Sequence, residues 1–209
     1  MPRPRPGFSF FAPAGTPPAI VNKLNAEVNR ILQLPDVKAR LDEYFPLMCE
    51  IVADDYDGYI DKFIGDAVMA VWGAPTAHED DAERGVRAAL EVVDAVKDLA
   101  PGLQARAGVV TGEAAVTVGA RGEGMVAGDL VNTASRLQSV AQPGMVLVGE
   151  TTKHTTEGSI AYEPAGEQLR KGKTAPVTAY HALRVVARRG GAGRGDRLEP
   201  PFVGRDSEL

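Results

Sequence analysis

The chain contains few of the residues that mark several protein classes. Its 209 residues include one cysteine, Cys49, so no disulfide can form within the chain. Aromatic residues make up only 6%, and no apolar run approaches the ~20 residues of a membrane-spanning helix. Basic residues are outnumbered 23 to 28, and the net charge of -5 argues against a nucleic-acid surface. The opening Met1–Pro6 has no apolar core behind it and is not a secretory signal, so we expect a cytoplasmic protein without a membrane or nucleic-acid partner.

What the chain does have is the composition of a folded domain. Its 44% hydrophobic and 24% charged residues are ordinary for a globular protein. Changes of pattern along the chain predict three parts: residues 1–40 as an appendage, residues 41–187 as the main domain, and residues 188–209 as a linker followed by the start of another module. The linker is rich in glycine and arginine, which is typical of a flexible, solvated segment.

The appendage is predicted to be helical. Thr16 is a suitable N-cap before Pro17, and four apolar residues recur at helical spacing: Ile20, Leu24, Val28 and Ile31. The stretch from Phe11 to Leu41 resembles the C-terminal part of the periplasmic solute-binding proteins of tripartite tricarboxylate transporters. Such proteins bind their ligand between two domains, so we interpret this stretch as an appendage with no function of its own.

The main domain opens with a predicted hairpin. The strand-like segments Tyr59–Ile64 and Ala67–Trp72 are separated by Gly65-Asp66, a two-residue hairpin signal. An acid at this tip is held rigidly with its side chain outward, and this position suits a metal ligand.

Further elements follow at helical and strand periods. The pattern predicts helices over Tyr44–Ala53, Asp80–Leu99 and from about Asp129, and strands over Ala105–Val110, Ala114–Val118, Met145–Val148 and within 160–186. On the helix from Asp129, Asn132 and Arg136 are four residues apart and therefore share a face.

Two runs carry a second resemblance. Asp61–Gly73, which reads DKFIGDAVMAVWG, and Gly128–Leu137, which reads GDLVNTASRL, together resemble the class III adenylate/guanylate cyclase catalytic domain. The resemblance covers about residues 41–186 and implies an α+β fold, a ferredoxin-like sheet with helices on one face. It also implies conversion of ATP to cyclic AMP and pyrophosphate. Two divalent cations, Mg²⁺ or Mn²⁺, would activate the 3′-hydroxyl and neutralise the phosphates.

The resemblance assigns roles to five positions. Asp66 matches the metal-binding hairpin carboxylate, and the backbone carbonyl of Ile64 belongs to the same motif. Lys62 matches the residue that reads the purine, where a lysine can donate to N1 of adenine. Asn132 matches the residue that orients the ribose, and Arg136 matches the one that contacts the phosphates through its planar, permanently charged guanidinium.

The chain departs from the family in two places. Met125 stands at the second purine-reading position, usually Asp or Thr, and cannot make that polar contact. No segment from Met1 to Pro46 matches the family's first strand, which carries the second metal-binding Asp. Phe8–Phe11 is a candidate replacement for that strand. We therefore expect a fold without its first strand and an impaired enzyme, since losing ~3–4 kcal/mol of transition-state stabilisation costs over a hundredfold in rate.

Partners and alternatives follow from the same resemblance. Family active sites form between two subunits, so Asp66 of one chain would face Lys62, Asn132 and Arg136 of the other, in a homodimer or with an intact cyclase domain. Two other hypotheses stay open: a non-catalytic dimerisation or nucleotide-sensing module of this fold, and a solute-binding protein fragment. The terminal Pro201–Leu209 resembles the opening of an AAA-type ATPase module.

Overall fold

The computed structural model describes residues 12–116, 126–167 and 178–187. The elements in chain order are α1 (Pro18–Leu32), α2 (Pro35–Cys49), a π-helical segment (Glu50–Asp55), β1 (Tyr59–Ile64), β2 (Ala67–Val71), α3 (Asp81–Leu99), β3 (Ala107–Val109), β4 (Ala115–Val116), β5 (Val126–Ala127), α4 (Asp129–Val140), β6 (Val146–Gly149), α5 (Glu150–Thr156), β7 (Ile160–Glu167) and β8 (Thr178–Val185). This mixture of helices and sheets confirms the predicted α+β class.

The strands form three sheets in the described ranges. The largest has the order β3-β6-β8-β7, in which β3 and β6 are parallel and the other pairs antiparallel. The other two are the β1–β2 hairpin and the short β4–β5 pair. The hairpin is therefore not hydrogen-bonded to the four-stranded sheet in the part of the chain that the structure describes.

The core lies on both sides of β6, a central strand whose four residues are all buried. Val146 and Val148 face α3, where they join a cluster with Val86, while Leu147 points the other way and joins Leu137 of α4. Successive strand residues face opposite sides of a sheet. The expectation of helices on one face is therefore wrong: α3 covers one face and α4 the other.

The strands around residue 112 pair differently from a simple hairpin. The predicted segments Ala105–Val110 and Ala114–Val118 contain β3 and β4, but these two strands do not pair with each other. Instead β3 pairs with β6, and β4 pairs with β5. Periodicity indicates a strand but not its partner, because partner choice depends on residues distant in sequence.

The first helices run across the predicted boundary between residues 40 and 41. The helix expected over Tyr44–Ala53 belongs to α2, which begins at Pro35 and continues into the π-helical segment. Its Met48, Ile51 and Val52 are buried, whereas no residue of α1 is. The domain boundaries stay predictions.

Some predictions fall outside the described residues. These are the candidate strand Phe8–Phe11, the linker and ATPase-like end from residue 188, and Met125. Among the helices that are described, none is both long enough and apolar enough to cross a membrane.

Candidate active site

Asp66 lies where the sequence predicts it, at the tip of the β1–β2 hairpin. Ile64 pairs with Ala67, so Gly65 and Asp66 alone form the loop. Gly65 has φ 64°, a left-handed conformation that suits glycine at the first central position of a tight hairpin turn. Asp66 is exposed, and its carboxylate is accessible to a cation.

The hairpin tip is braced by α2. The hydroxyl of Tyr44 donates a hydrogen bond of 2.7 Å to the backbone carbonyl of Asp66. Burial, reinforced by the negative charge of Asp66, raises the pKa of Tyr44, so the phenol remains a proton donor. Next to it, the rings of Phe45 and Phe63 pack edge to face with centroids 5.3 Å apart. The motif comparison did not reveal this bracing role, because Tyr44 lies 22 residues from the tip.

Lys62 lies in β1 opposite Met69, next to a bulge in the strand. The bulge falls at Asp61, whose side chain is fully buried, and the Lys62 ammonium lies 3.5 Å from the Asp61 carboxylate. The lysine side chain is 39% exposed, so it is anchored at one side and still accessible. Sequence reasoning missed Asp61, because strand alternation does not predict a bulge.

Asn132 and Arg136 share the outer face of α4, as their spacing predicts, and both are exposed. On the opposite side of the helix, the fully buried Leu137 fixes α4 to the sheet. Gly128, with φ 125°, precedes the first helical residue and allows the chain to turn into α4.

A single chain therefore carries the predicted residues in two groups. Lys62, the Ile64 carbonyl and Asp66 lie on the hairpin, whereas Asn132 and Arg136 lie on α4, which packs on a different sheet. In the described ranges, no group of three or more His, Cys, Asp or Glu side chains converges as a metal site.

The hairpin oxygens nevertheless fit Mg²⁺ or Mn²⁺. These cations favour oxygen ligands, and Mg²⁺ is commonly bound by one or two carboxylates together with water and substrate phosphates. One exposed carboxylate beside a backbone carbonyl on a rigid turn matches that donor set.

Two cavities lie in the described residues, and neither is lined by Lys62, Ile64, Asp66, Asn132 or Arg136. One of about 380 Å³ is lined by residues that include Asp57, Thr76 and His78, and one of about 250 Å³ lies between the starts of α4 and α5. The site residues instead lie on open surface, and this arrangement is compatible with a site completed by a second subunit.

Comparison with protein families gives one match that covers most of the chain. The model of the adenylate and guanylate cyclase catalytic domain family matches residues 7–183. The match includes both the hairpin and α4, and it begins upstream of the predicted boundary at residue 41.

Curated relatives agree with this match. Adenylate cyclase 1 of Rhizobium meliloti (strain 1021) is 34% identical over 164 residues, which cover 72% of this chain and 24% of that protein. An uncharacterised protein of Mycobacterium tuberculosis (strain CDC 1551 / Oshkosh) is 33% identical over 152 residues, or 70% of this chain and 26% of that protein. The chain thus spans about a quarter of the length of these relatives.

Solved structures share the fold. The adenylyl cyclase CyaB from P. aeruginosa superposes with a TM-score of 0.66 at 30% identity, covering 78% of this chain and 89% of that one. The catalytic core of a rhodopsin-guanylyl cyclase with converted specificity, in complex with ATPαS, gives a TM-score of 0.56 at 25% identity, over 70% of this chain and 81% of that one. The solute-binding and ATPase resemblances have no counterpart among these matches and stay predictions.

Proposed function

Because the chain belongs to the adenylate and guanylate cyclase catalytic domain family, we propose that it is a nucleotide cyclase domain that converts ATP to cyclic AMP and pyrophosphate. Members of the family are lyases that use divalent metal ions. The observation that carries the proposal is the placement of Asp66 on a rigid, braced hairpin tip in a chain whose α4 presents Asn132 and Arg136 on one exposed face.

Each residue has one task in the proposed reaction. Asp66 and the Ile64 carbonyl would hold Mg²⁺ or Mn²⁺, which when bound would lower the pKa of the 3′-hydroxyl and offset phosphate charge. Asn132 orients the ribose so that the hydroxyl points at the α-phosphate. Arg136 donates its guanidinium N–H groups to the phosphate oxygens as negative charge develops there.

ATP is the proposed substrate because of Lys62. Its ammonium is a donor without an acceptor, and N1 of adenine is an acceptor whereas N1 of guanine is a donor. The buried Asp61 carboxylate, 3.5 Å away, supports this side chain. Met125 adds no polar contact to the base, so we expect the preference for ATP over GTP to be modest.

The proposed catalytic unit is a dimer, either of two copies or with an intact cyclase domain. The sequence resemblance implies active sites that form between two subunits, and in one chain the hairpin residues and the α4 residues belong to separate sheets and their helices. We propose that Asp66 of one subunit faces Lys62, Asn132 and Arg136 of its partner.

Turnover by the isolated chain should be low. The family's second metal-binding Asp has no match from Met1 to Pro46, so Asp66 is the single carboxylate proposed for the two cations. If the absent ligand is worth ~3–4 kcal/mol in the transition state, the rate falls by over a hundredfold.

The test is cyclic AMP production by the purified chain with ATP and Mn²⁺, with GTP assayed in parallel. We expect slow turnover that Asp66→Ala abolishes. A matched control is Asp94→Ala, which removes an exposed acid on α3 that pairs with the nearby Lys97. No turnover by the wild type, alone or mixed with an intact cyclase domain, would favour the non-catalytic nucleotide-sensing module. Equal turnover of Asp66→Ala and wild type would refute the metal role.

A further inference from the structure

We propose that Gly108 and Arg106, in and beside strand β3, are positioning residues that hold α4 on the sheet and so determine where Asn132 and Arg136 meet the nucleotide. The inference rests on the proposed function, since it assigns these two residues a part in the same reaction. Neither residue touches the nucleotide in this proposal, and both act through α4.

The backbone of α4 approaches β3 more closely than any side chain at position 108 would allow. A Cβ added to Gly108 would lie 2.4 Å from the carbonyl oxygen of Ala134 and 2.5 Å from the amide nitrogen of Gln138. Both are helix backbone atoms, which cannot rotate away as a side chain can. Ordinary contacts need about 3.5 Å, so a methyl group here would move α4 outward by roughly 1 Å.

The movement would be transmitted directly to the proposed substrate-binding residues. Asn132 and Arg136 each lie two residues from Ala134, and two residues turn about 200° around a helix with 3.6 residues per turn. They therefore lie on the face opposite the one that contacts Gly108, and both are exposed. A helix shifted away from β3 carries these two side chains with it by a similar distance.

Arg106 fixes the other end of the same helix. Its Nη1 donates to the carbonyl oxygens of Ser139 and Ala141, at 3.2 and 3.3 Å. Carbonyls at a helix C-terminus lack partners within the helix. A cation there also interacts favourably with the negative end of the helix dipole. Gly108 thus sets the distance of α4 from the sheet, and Arg106 anchors its C-terminal end.

The decisive variant is Gly108→Ala, compared with Gly149→Ala. Gly149 is a glycine of the neighbouring strand β6 in the same sheet, but a Cβ there would meet only the Val110 side chain, at an ordinary 3.4 Å. We expect Gly108→Ala to lower kcat/KM about a hundredfold, since a 1 Å misplacement can cost this much. Gly149→Ala should stay within twofold of wild type, and Mn²⁺ affinity should be unchanged in both, because the hairpin is not altered.

A double-mutant cycle separates positioning from general destabilisation. If Gly108 acts through α4, then Arg136→Ala should lower kcat/KM by a much smaller factor in the Gly108→Ala background than in wild type. The reason is that the guanidinium is already misplaced in that background. Independent, multiplicative losses would contradict the proposal. If Gly108→Ala does not fold, Arg106→Ala provides the same comparison with a smaller expected loss of about three- to tenfold, partly restored in Arg106→Lys, and full activity of Arg106→Ala would then overturn the proposal.

A structural measurement, which does not depend on enzyme activity, keeps this test distinct from the test of the proposed function. A crystal structure of Gly108→Ala should show α4 displaced from β3 while α3 stays in place. If wild type lacks turnover, the proposed function fails, but the position of α4 still decides whether Gly108 holds the helix. An undisplaced α4, or a displaced α4 with unchanged kcat/KM in an active protein, would overturn the inference.

Discussion

Strand β2 of the hairpin and strand β6 of the four-stranded sheet both lack polar side chains but differ in burial. All four residues of β6 are buried, whereas each of the five residues of β2, Ala67–Val71, is only partly buried. The reason is the number of neighbours, since β6 has a strand on each side and a helix on each face, while among the described residues β2 pairs only with β1. Apolar sequence therefore makes a strand, but tertiary neighbours make a core.

The hairpin is attached to the rest of the domain by a few side chains. Trp72, just after β2, donates its indole Nε1–H to the carbonyl of Tyr56 at 2.9 Å. Its ring lies close to two glycines: a Cβ added to Gly58 would come within 2.6 Å of the ring, and one added to Gly85 within 3.2 Å. With the Tyr44 and Phe45 contacts at the other end, these interactions replace the strand pairing that holds β6.

The largest expected difference between the two regions is in the free energy of unfolding. Leu147→Ala, in β6, should destabilise the protein by about 3 kcal/mol, because it leaves a cavity in a closed core. Val68→Ala, in β2, should cost only about 1 kcal/mol, since its site is partly exposed. Urea unfolding followed by circular dichroism measures both values. Equal losses would show that the hairpin is as well packed as the sheet.

The single tryptophan allows a second test of the same difference. Trp72 reports on the hairpin, whereas far-ultraviolet circular dichroism reports on all elements. We expect the fluorescence transition to occur at a lower urea concentration than the circular dichroism transition, because the less buried region opens first. Coincident transitions would indicate one cooperative unit.

Much of this comparison could be read from the sequence, and part of it could not. The Gly65-Asp66 turn, the strands on either side of it and the shared face of Asn132 and Arg136 follow from local rules about φ angles and periodicity. The bulge at Asp61, the pairing of β3 with β6 and the close approach at Gly108 depend on segments far apart in the chain. Local patterns carry no information about such distances.

A smaller effect is expected at the hairpin tip. Tyr44→Phe removes the hydrogen bond to the Asp66 carbonyl and keeps the ring, so it should cost about 1 kcal/mol. It should also raise the Mn²⁺ concentration needed for half-maximal activity, because the turn that carries Asp66 is held less firmly. Tyr59→Phe, at an exposed site on β1, is the control. Unchanged stability and metal dependence in Tyr44→Phe would show that the tip is rigid without α2.

A last expected effect is confined to alkaline pH and concerns the four-stranded sheet. Burial raises the pKa of Tyr162, which packs against the core cluster, to about 12, whereas tyrosine in an unfolded chain titrates near 10. The unfolded state therefore loses this proton first, and the stabilisation present below pH 10 is lost as the pH rises towards 12. The urea midpoint should fall over this window, and it should fall less in Tyr162→Phe. Parallel decreases in both proteins would exclude Tyr162 as a contributor.

The sequence by itself determined the local units of this protein: the two-residue turn that presents Asp66, the apolar stripe of α3 and the outward face of α4. These depend on backbone sterics and on the 3.6- and 2-residue periods, which act between near neighbours in the chain. Only the tertiary structure decided that α3 and α4 cover opposite faces, that the hairpin and the four-stranded sheet are not hydrogen-bonded within the described ranges, and that α4 lies against a glycine of β3. Those outcomes depend on which surfaces meet when the whole chain folds, because close packing joins residues that are distant in sequence.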